Sequence, residues 1–261
     1  MIRTLSTAAT GMEAQSANIE RISNDLANVN TDGYKRSRTE FKDLMYETVT
    51  EPGGATGAAS QSPVGIQKGS GVRVGASYKI FEPGPAKMTY HPYDLMIEGR
   101  GFFPVQLPNG EVGYTRVGAF HLDPQGRLTT SEGGLLLPQI QIPPNATGFT
   151  VTPNGEVKAT LPGNAEAVLG QIQLVTFQNE QGLMAAGNGL YRPSAGSGAP
   201  LQGVPGENGL GSILQNAIET SNVNVPSAMV EMISTQRAFE MNSKVMGVAD
   251  QMWGSVNSIK Q

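Results

Sequence analysis

Apolar residues recur every seven positions at Leu5, Met12, Ile19 and Leu26, with Ala8, Ile22 and Val29 on the matching d positions. Gln15 is the one polar residue in that seam. The far end repeats the pattern with Val225, Met232, Phe239, Met246 and Trp253, joined by Ala228, Ala249 and Val256. A strict a/d seam is narrower than the stripe a helix needs to cover a globular core, and it favours a left-handed supercoil. Two such seams at opposite ends of one chain predict terminal helices that meet and pack. The first is expected from Arg3 to about Asn30, roughly 40 Å at about 1.5 Å per residue, with Gly33 as its left-handed stop. The second starts after Ser221-Asn-Val-Asn-Val, where Ser221 or Asn224 can cap it and Pro226 fits only the first turn.

Between these ends the period changes from helix to strand. Val72, Val74, Ala76, Tyr78 and Ile80 alternate with polar residues, and short apolar runs follow at Asp94–Glu98, Phe102–Val105 and Gln171–Phe177. Pro108-Asn-Gly, Pro124-Gln-Gly and Pro153-Asn-Gly each place a φ-fixing proline, a turn residue and a glycine before a strand. The expected fold is therefore α+β. Residues 1–35 and 222–261 form a helical, coiled-coil domain, and residues 72–221 form a β-rich middle built of hairpins. Residues 36–71 fit neither period. Phe41, Leu44, Met45 and Tyr46 suggest a short amphipathic turn, the Gly/Pro-rich 51–63 stretch an extended segment, and Lys35, Arg36 and Arg38 a solvated basic face.

Composition narrows the function classes. With 261 residues the chain has room for a sizeable core, and Gly 33 and Pro 17 against only 15% charged residues suit a β-rich middle. A net charge of −4 supplies no basic field for nucleic acid. Cys 0 excludes disulfides, thiolate metal sites and thiol nucleophiles, and His 2 is too few for an imidazole cluster. No stretch approaches a membrane span, and the N-terminal residues lack the apolar run of a secretory signal. On these facts alone the chain reads as cytosolic.

The residues Ile22-Ser-Asn-Asp-Leu-Ala-Asn-Val-Asn-Thr-Asp-Gly-Tyr-Lys35 resemble the N-terminal signature of the bacterial flagellar rod and hook family. Gly99-Arg-Gly-Phe-Phe103 and Tyr114–Leu128 are similar to that family's middle domain, and Met232–Val245 to its C-terminal signature. The resemblance, strongest to the distal-rod branch, spans nearly the whole chain. Phe239, where the family often carries tyrosine, and Pro226-Ser227 depart from the pattern, and the latter is expected to trim the helix by a turn. The resemblance implies a non-enzymatic subunit that polymerises into a helical rod, exported by the flagellar type III apparatus without a cleaved signal into the periplasm. It also implies that residues 36–71 stiffen the rod against neighbours. Implied partners are further copies, proximal rod proteins, the hook protein and the L and P rings. The implied assembly interface is Leu5, Met12, Ile19, Asn24, Leu26, Asn28, Met232, Gln236, Phe239, Met246 and Trp253.

No catalytic constellation competes with this reading. His91 near Asp94 and His121 near Asp123 read as turn histidines, and no Gly-x-Ser-x-Gly elbow is present. Gly99-x-Gly101 opens a strand and no helix follows to meet a pyrophosphate. No catalytic, cofactor or metal residue is expected. Two alternatives stay open: a hook or proximal rod subunit of the same family, and a cell-wall glycan-binding or glycan-cleaving β module using Asp94, Glu98, Glu111 or Asp123.

Overall fold

The structure, a computed structural model, describes residues 2–51, 55–57, 60–61, 64–163 and 165–259. Most of the 51–63 stretch and the side chain of Val256 lie outside the described residues. The chain forms two compact units. The first gathers Met1–Leu26, Ser37–Ser77 and Val225–Gln261; the second comprises Ala27–Arg36 and Tyr78–Asn224. The fold class is α+β, with one long helix at each end and strands between.

In the first unit, helix α1 runs Ile2–Ala27 and helix α2 Val225–Ile259. Pro226 sits inside the first turn of α2, where its missing N–H costs no helical bond, so the helix is not trimmed there. The strand Ser37–Asp43 pairs with Val72–Lys79, and Glu47–Thr50 with Ile66–Lys68. Phe41 thus lies in a strand and not in the amphipathic turn expected around it. The Leu44 amide donates to the Gly71 carbonyl at 2.9 Å, so cross-strand bonding has overridden the local helical spacing.

The second unit is a β domain. Its largest sheet is antiparallel, in the order Phe120–Leu122, Leu128–Thr130, Leu135–Leu136, Phe103–Gln106, Val112–Thr115, Leu190–Arg192, Met184–Gly187. A second antiparallel sheet joins Gly148–Val151, Glu156–Leu161 and Ala165–Gln171. The Pro-x-Gly triplets each turn a hairpin, as their spacing predicts. Gly110, Gly126 and Gly155 all have positive φ, and their amides donate to Leu107, Asp123 and Thr152 carbonyls at 2.9, 2.9 and 2.8 Å. The main core holds Leu95, Ile97, Phe103, Phe120, Val157, Ile172 and Leu174. A smaller one packs Phe81, Phe102, Tyr114, Phe177 and Tyr191 edge to face, with Phe81 and Tyr191 centroids 5.1 Å apart.

The first helix ends at Ala27, short of the expected Asn30. Asn28 to Asp32 form turns, and Gly33 takes φ +68. A Cβ there would lie 3.0 Å from the Val117 side chain and backbone, so glycine is required twice over. Lys35 overturns the solvated-basic-face expectation, because it is fully buried against Glu219. Desolvation would make that position untenable without the carboxylate.

Candidate assembly surface

The faces of the two helices differ in chemistry. On α1 the most buried residues are Ala8, Ala14, Asn18, Ile22 and Asp25. On α2 they are Thr235 and Ala249, with Val225, Ala228, Met232, Asn242 and Met246 half-buried on the same side. The contact is small and polar. Asn18 Nδ2 donates to Thr235 Oγ1 at 3.1 Å in a buried bond. A Cβ on Gly11 would come within 2.9 Å of Asn242 Nδ2, so α1 and α2 approach where α1 has no side chain.

Arg21 fastens this contact. Its Nε and Nη2 donate to Asn18 Oδ1 at 3.0 and 2.9 Å, and its Nη1 to Asp25 Oδ2 at 3.2 Å and the Ser37 carbonyl at 3.1 Å. Nη2 also pairs with Glu231 on α2. Asp25 in turn accepts from the Ser37 amide at 3.1 Å. One guanidinium therefore joins α1, α2 and the first strand residue, a use that suits its fork of five donors. No local pattern in the sequence singles out Arg21 or pairs it with Glu231, 210 positions away.

The seam residues of α1, Leu5, Met12, Ile19 and Leu26, are each half-buried, and the deeper line runs through Ala8, Asn18, Ile22 and Asp25. Asn24 is exposed; Asn28 is half-buried and its Oδ1 accepts from Thr31 Oγ1 at 3.2 Å. On α2, Met232 and Met246 are half-buried, Gln236 is exposed, Phe239 is 37% exposed and Trp253 46% exposed.

A second apolar stripe on α2 escaped the heptad reading. Val230, Met241 and Met252 recur every eleven residues, with Ile233, Val245 and Val248 filling the line, and all six are exposed. The eleven-residue period was available in the sequence, masked by the seven-residue one beside it. Val245, Val248 and Met252 also line a shallow groove of about 310 Å³ with Thr4, Lys244 and Ala249. The strands of this unit add exposed Phe41, Val49 and Ile66, and the connections beside them Met45, Tyr46 and Val64. Helix α2 is therefore apolar on two faces.

Three of the four carboxylates weighed as a glycan-cleaving set, Asp94, Glu111 and Asp123, are engaged structurally, while Glu98 is exposed. Asp94 accepts from Thr89 Oγ1 at 2.6 Å and faces His91 Nδ1 at 3.4 Å. Asp123 pairs with Arg127 at 2.7 Å and caps the turn amides of Gln125 and Arg127, and these bonds hold its carboxyl below the usual range against the opposing cost of desolvation. Glu111 pairs with Arg192 at 2.8 Å.

Comparison with known proteins decides the family. The flagella basal body rod protein model matches residues 5–35, the flagellar hook protein FlgE/F/G D1 domain 96–159, and the flagellar basal body rod FlgEFG protein C-terminal domain 214–259. The flagellar basal-body rod protein FlgG of Caulobacter vibrioides is 44% identical over 99% of this chain and 100% of its own. The chain belongs to the flagellar basal-body rod family. FlgG of Buchnera aphidicola from Acyrthosiphon pisum is 44% identical over 97% of both chains, and that of Borreliella burgdorferi 40% over 100% of both. The rod protein is a structural subunit of the flagellar basal body, not an enzyme, and these full-length likenesses set it with the distal rod more than with the hook or proximal rod. Among its described residues no helix is long and apolar enough to cross a membrane.

Proposed function

We propose that this rod protein polymerises through its helical unit into a rigid helical shaft that transmits torque to the hook. The observation that carries the reading is the exposed stripe on α2, from Val230 through Met241 to Met252, on a helix whose other face is already in contact with α1. Full burial of an exposed Val, Ile or Met side chain contributes about 1.5–3 kcal/mol, so six such residues left about half in water on each copy are a large unused driving force. Contacts of this heterologous kind, repeated without closing, generate filaments.

In the assembled shaft the seam residues Leu5, Met12, Ile19 and Leu26 of α1 and Met232, Phe239, Met246 and Trp253 of α2 complete a coiled-coil layer. Asn24, Asn28 and Gln236 supply amides to neighbouring helices. The 36–71 segment, with its exposed apolar strands, lies against adjacent copies and stiffens the shaft. Proximal rod proteins and the hook protein join its ends, the L and P rings surround it, and the flagellar export apparatus delivers it to the periplasm.

The test is to concentrate native protein and the variant Val230→Ser/Met241→Ser/Met252→Ser and follow both by sedimentation and electron microscopy. Helical tubes from native protein alone, with unchanged urea unfolding of the β domain in both, is the expected result. Equal polymerisation of the variant would remove the α2 stripe as the contact.

A further inference from the structure

The second unit begins and ends on the same buried charge cluster. Lys35, at the close of the Gly-Tyr-Lys motif, donates from Nζ to Glu219 Oε1 at 2.5 Å and to the Glu82 carbonyl at 2.7 Å. Glu219 lies in the last strand, Ala217–Glu219, six residues before α2 begins. Its Oε1 also accepts from the Gly84 amide at 2.8 Å, and its Oε2 stands 3.6 Å from Arg116 Nη1. Arg116 donates to the Gly99 carbonyl at 2.8 Å and lies 5.2 Å from the Phe102 ring centroid. All three side chains have no exposure.

As a source of stability this cluster is poor. Two cations face one carboxylate, and Arg116 Nε and Nη2 and Glu219 Oε2 make no hydrogen bond among the described residues. Burial pushes the Lys35 ammonium and the Arg116 guanidinium down in pKa, with Glu219 pulling each back up. Well-packed apolar residues of similar volume commonly do as well or better than such a group, whereas removing one member leaves an uncompensated buried charge. What a buried charge cluster can supply is discrimination between alignments.

The segments it joins need that discrimination. The Gly33 amide donates to the Glu219 carbonyl at 2.7 Å and the Arg36 amide to Asn222 Oδ1 at 2.7 Å. The Asn222 side chain bonds onward to the Ile80 and Glu82 carbonyls, at 2.9 and 3.1 Å. The Gly33–Glu219 bond joins two backbone groups and is indifferent to side chains, and the half-exposed Asn222 side chain can trade its partners for water, so neither strongly opposes a slip by one position. Such a slip would set Lys35 against Thr220 or Ile218, burying an ammonium with no anion.

We propose that Lys35, Glu219 and Arg116 form a registry lock, which admits one alignment of the entering segment 33–36 against the leaving segment 219–222. The lock ties both ends of the β domain to its aromatic core through Arg116. Its function is conformational specificity, and it acts within a single copy whether or not the chain polymerises.

The test uses the full chain, kept monomeric by dilution, with urea unfolding and residue-resolved amide hydrogen exchange. Glu219→Gln preserves shape and strands two cations; its folding equilibrium constant is expected to fall at least 100-fold. Lys35→Met/Arg116→Met/Glu219→Leu removes all three charges and is expected to recover to within 10-fold of native. In that variant the Gly33 and Asn222 amides should exchange at least 10-fold faster than native while the Phe103 and Val175 amides keep their protection. If Glu219→Gln does not fold, the triple variant decides alone. A triple variant as unstable as Glu219→Gln would assign the site to packing, and one with native protection at Gly33 and Asn222 would assign the alignment to the backbone; either result overturns the lock.

Discussion

The β domain and the helical unit satisfy their apolar residues in different ways. In the β domain Phe102, Phe103, Phe120, Leu95 and Ile97 are fully buried by the domain's own strands. In the helical unit Ile22 is the one large apolar side chain fully buried among the described residues; the other buried positions are alanine, asparagine, aspartate and threonine, and Val230, Met241, Val248 and Met252 face outward. One region carries large cores of its own, with apolar exposure scattered at its surface. The other leaves a continuous apolar stripe in water. The difference teaches that apolar content alone says little; where the large side chains point decides whether a region folds for itself or for its neighbours.

The strongest way to sharpen this contrast is a cavity in the β core. Phe103→Ala should cost the β domain about 3–5 kcal/mol, read as a lowered urea midpoint. If the midpoint barely moves, the core is not the closed unit described above.

The second test uses alkaline pH. Burial raises Tyr191 to about 12, with Arg116 opposing and Glu219 adding to the shift. A raised pKa in the folded state means that the native chain keeps a proton which the unfolded chain loses near pH 10. This contribution is fully present below pH 10 and is lost as pH rises through 12, about 3 kcal/mol in all. Lys35 works the other way, since its lowered pKa makes stability rise with pH between that pKa and 10.5. Comparing Tyr191→Phe with native protein at pH 9 and pH 11.5 cancels the lysine. The variant should lose less stability between the two.

In the helical unit the effects are expected to be smaller. Asn18→Ala deprives Thr235 and Arg21 of a buried partner, at about 1–3 kcal/mol. Helical circular dichroism during thermal melting would show the loss, and a melt identical to native would mean that the Asn18 network is dispensable. Smallest of all in the monomer is Met241→Ser, within about 0.5 kcal/mol because the side chain is exposed. Its effect should appear instead as a higher critical concentration for polymerisation, measured by sedimentation.

What the sequence disclosed follows from the range of the physics involved. The Pro-x-Gly turns and the terminal helices were legible because turn chemistry and heptad spacing are local. Lys35 was misread because its partner, Glu219, is 184 positions away, and a lysine beside two arginines looks solvated until that carboxylate is known. Phe41 was misjudged for the same reason, since its strand is made by pairing with Val72–Lys79 and not by its own neighbours. The α2 stripe was overlooked through a choice of period: Val230, Met241 and Met252 are off-register in sevens and in line in elevens.

Those two periods have a mechanical consequence. A seven-residue repeat falls below the natural 3.6-residue turn and favours left-handed winding, whereas an eleven-residue repeat exceeds it and favours the opposite hand. Helix α2 carries both, Val225 to Trp253 on one side and Val230 to Met252 on the other. Overwinding tightens one stripe only by loosening its counterpart, and unwinding reverses the exchange. With both stripes covered, the helix has no soft direction of rotation, and a bundle of such helices would carry a load of either sense without choosing a hand.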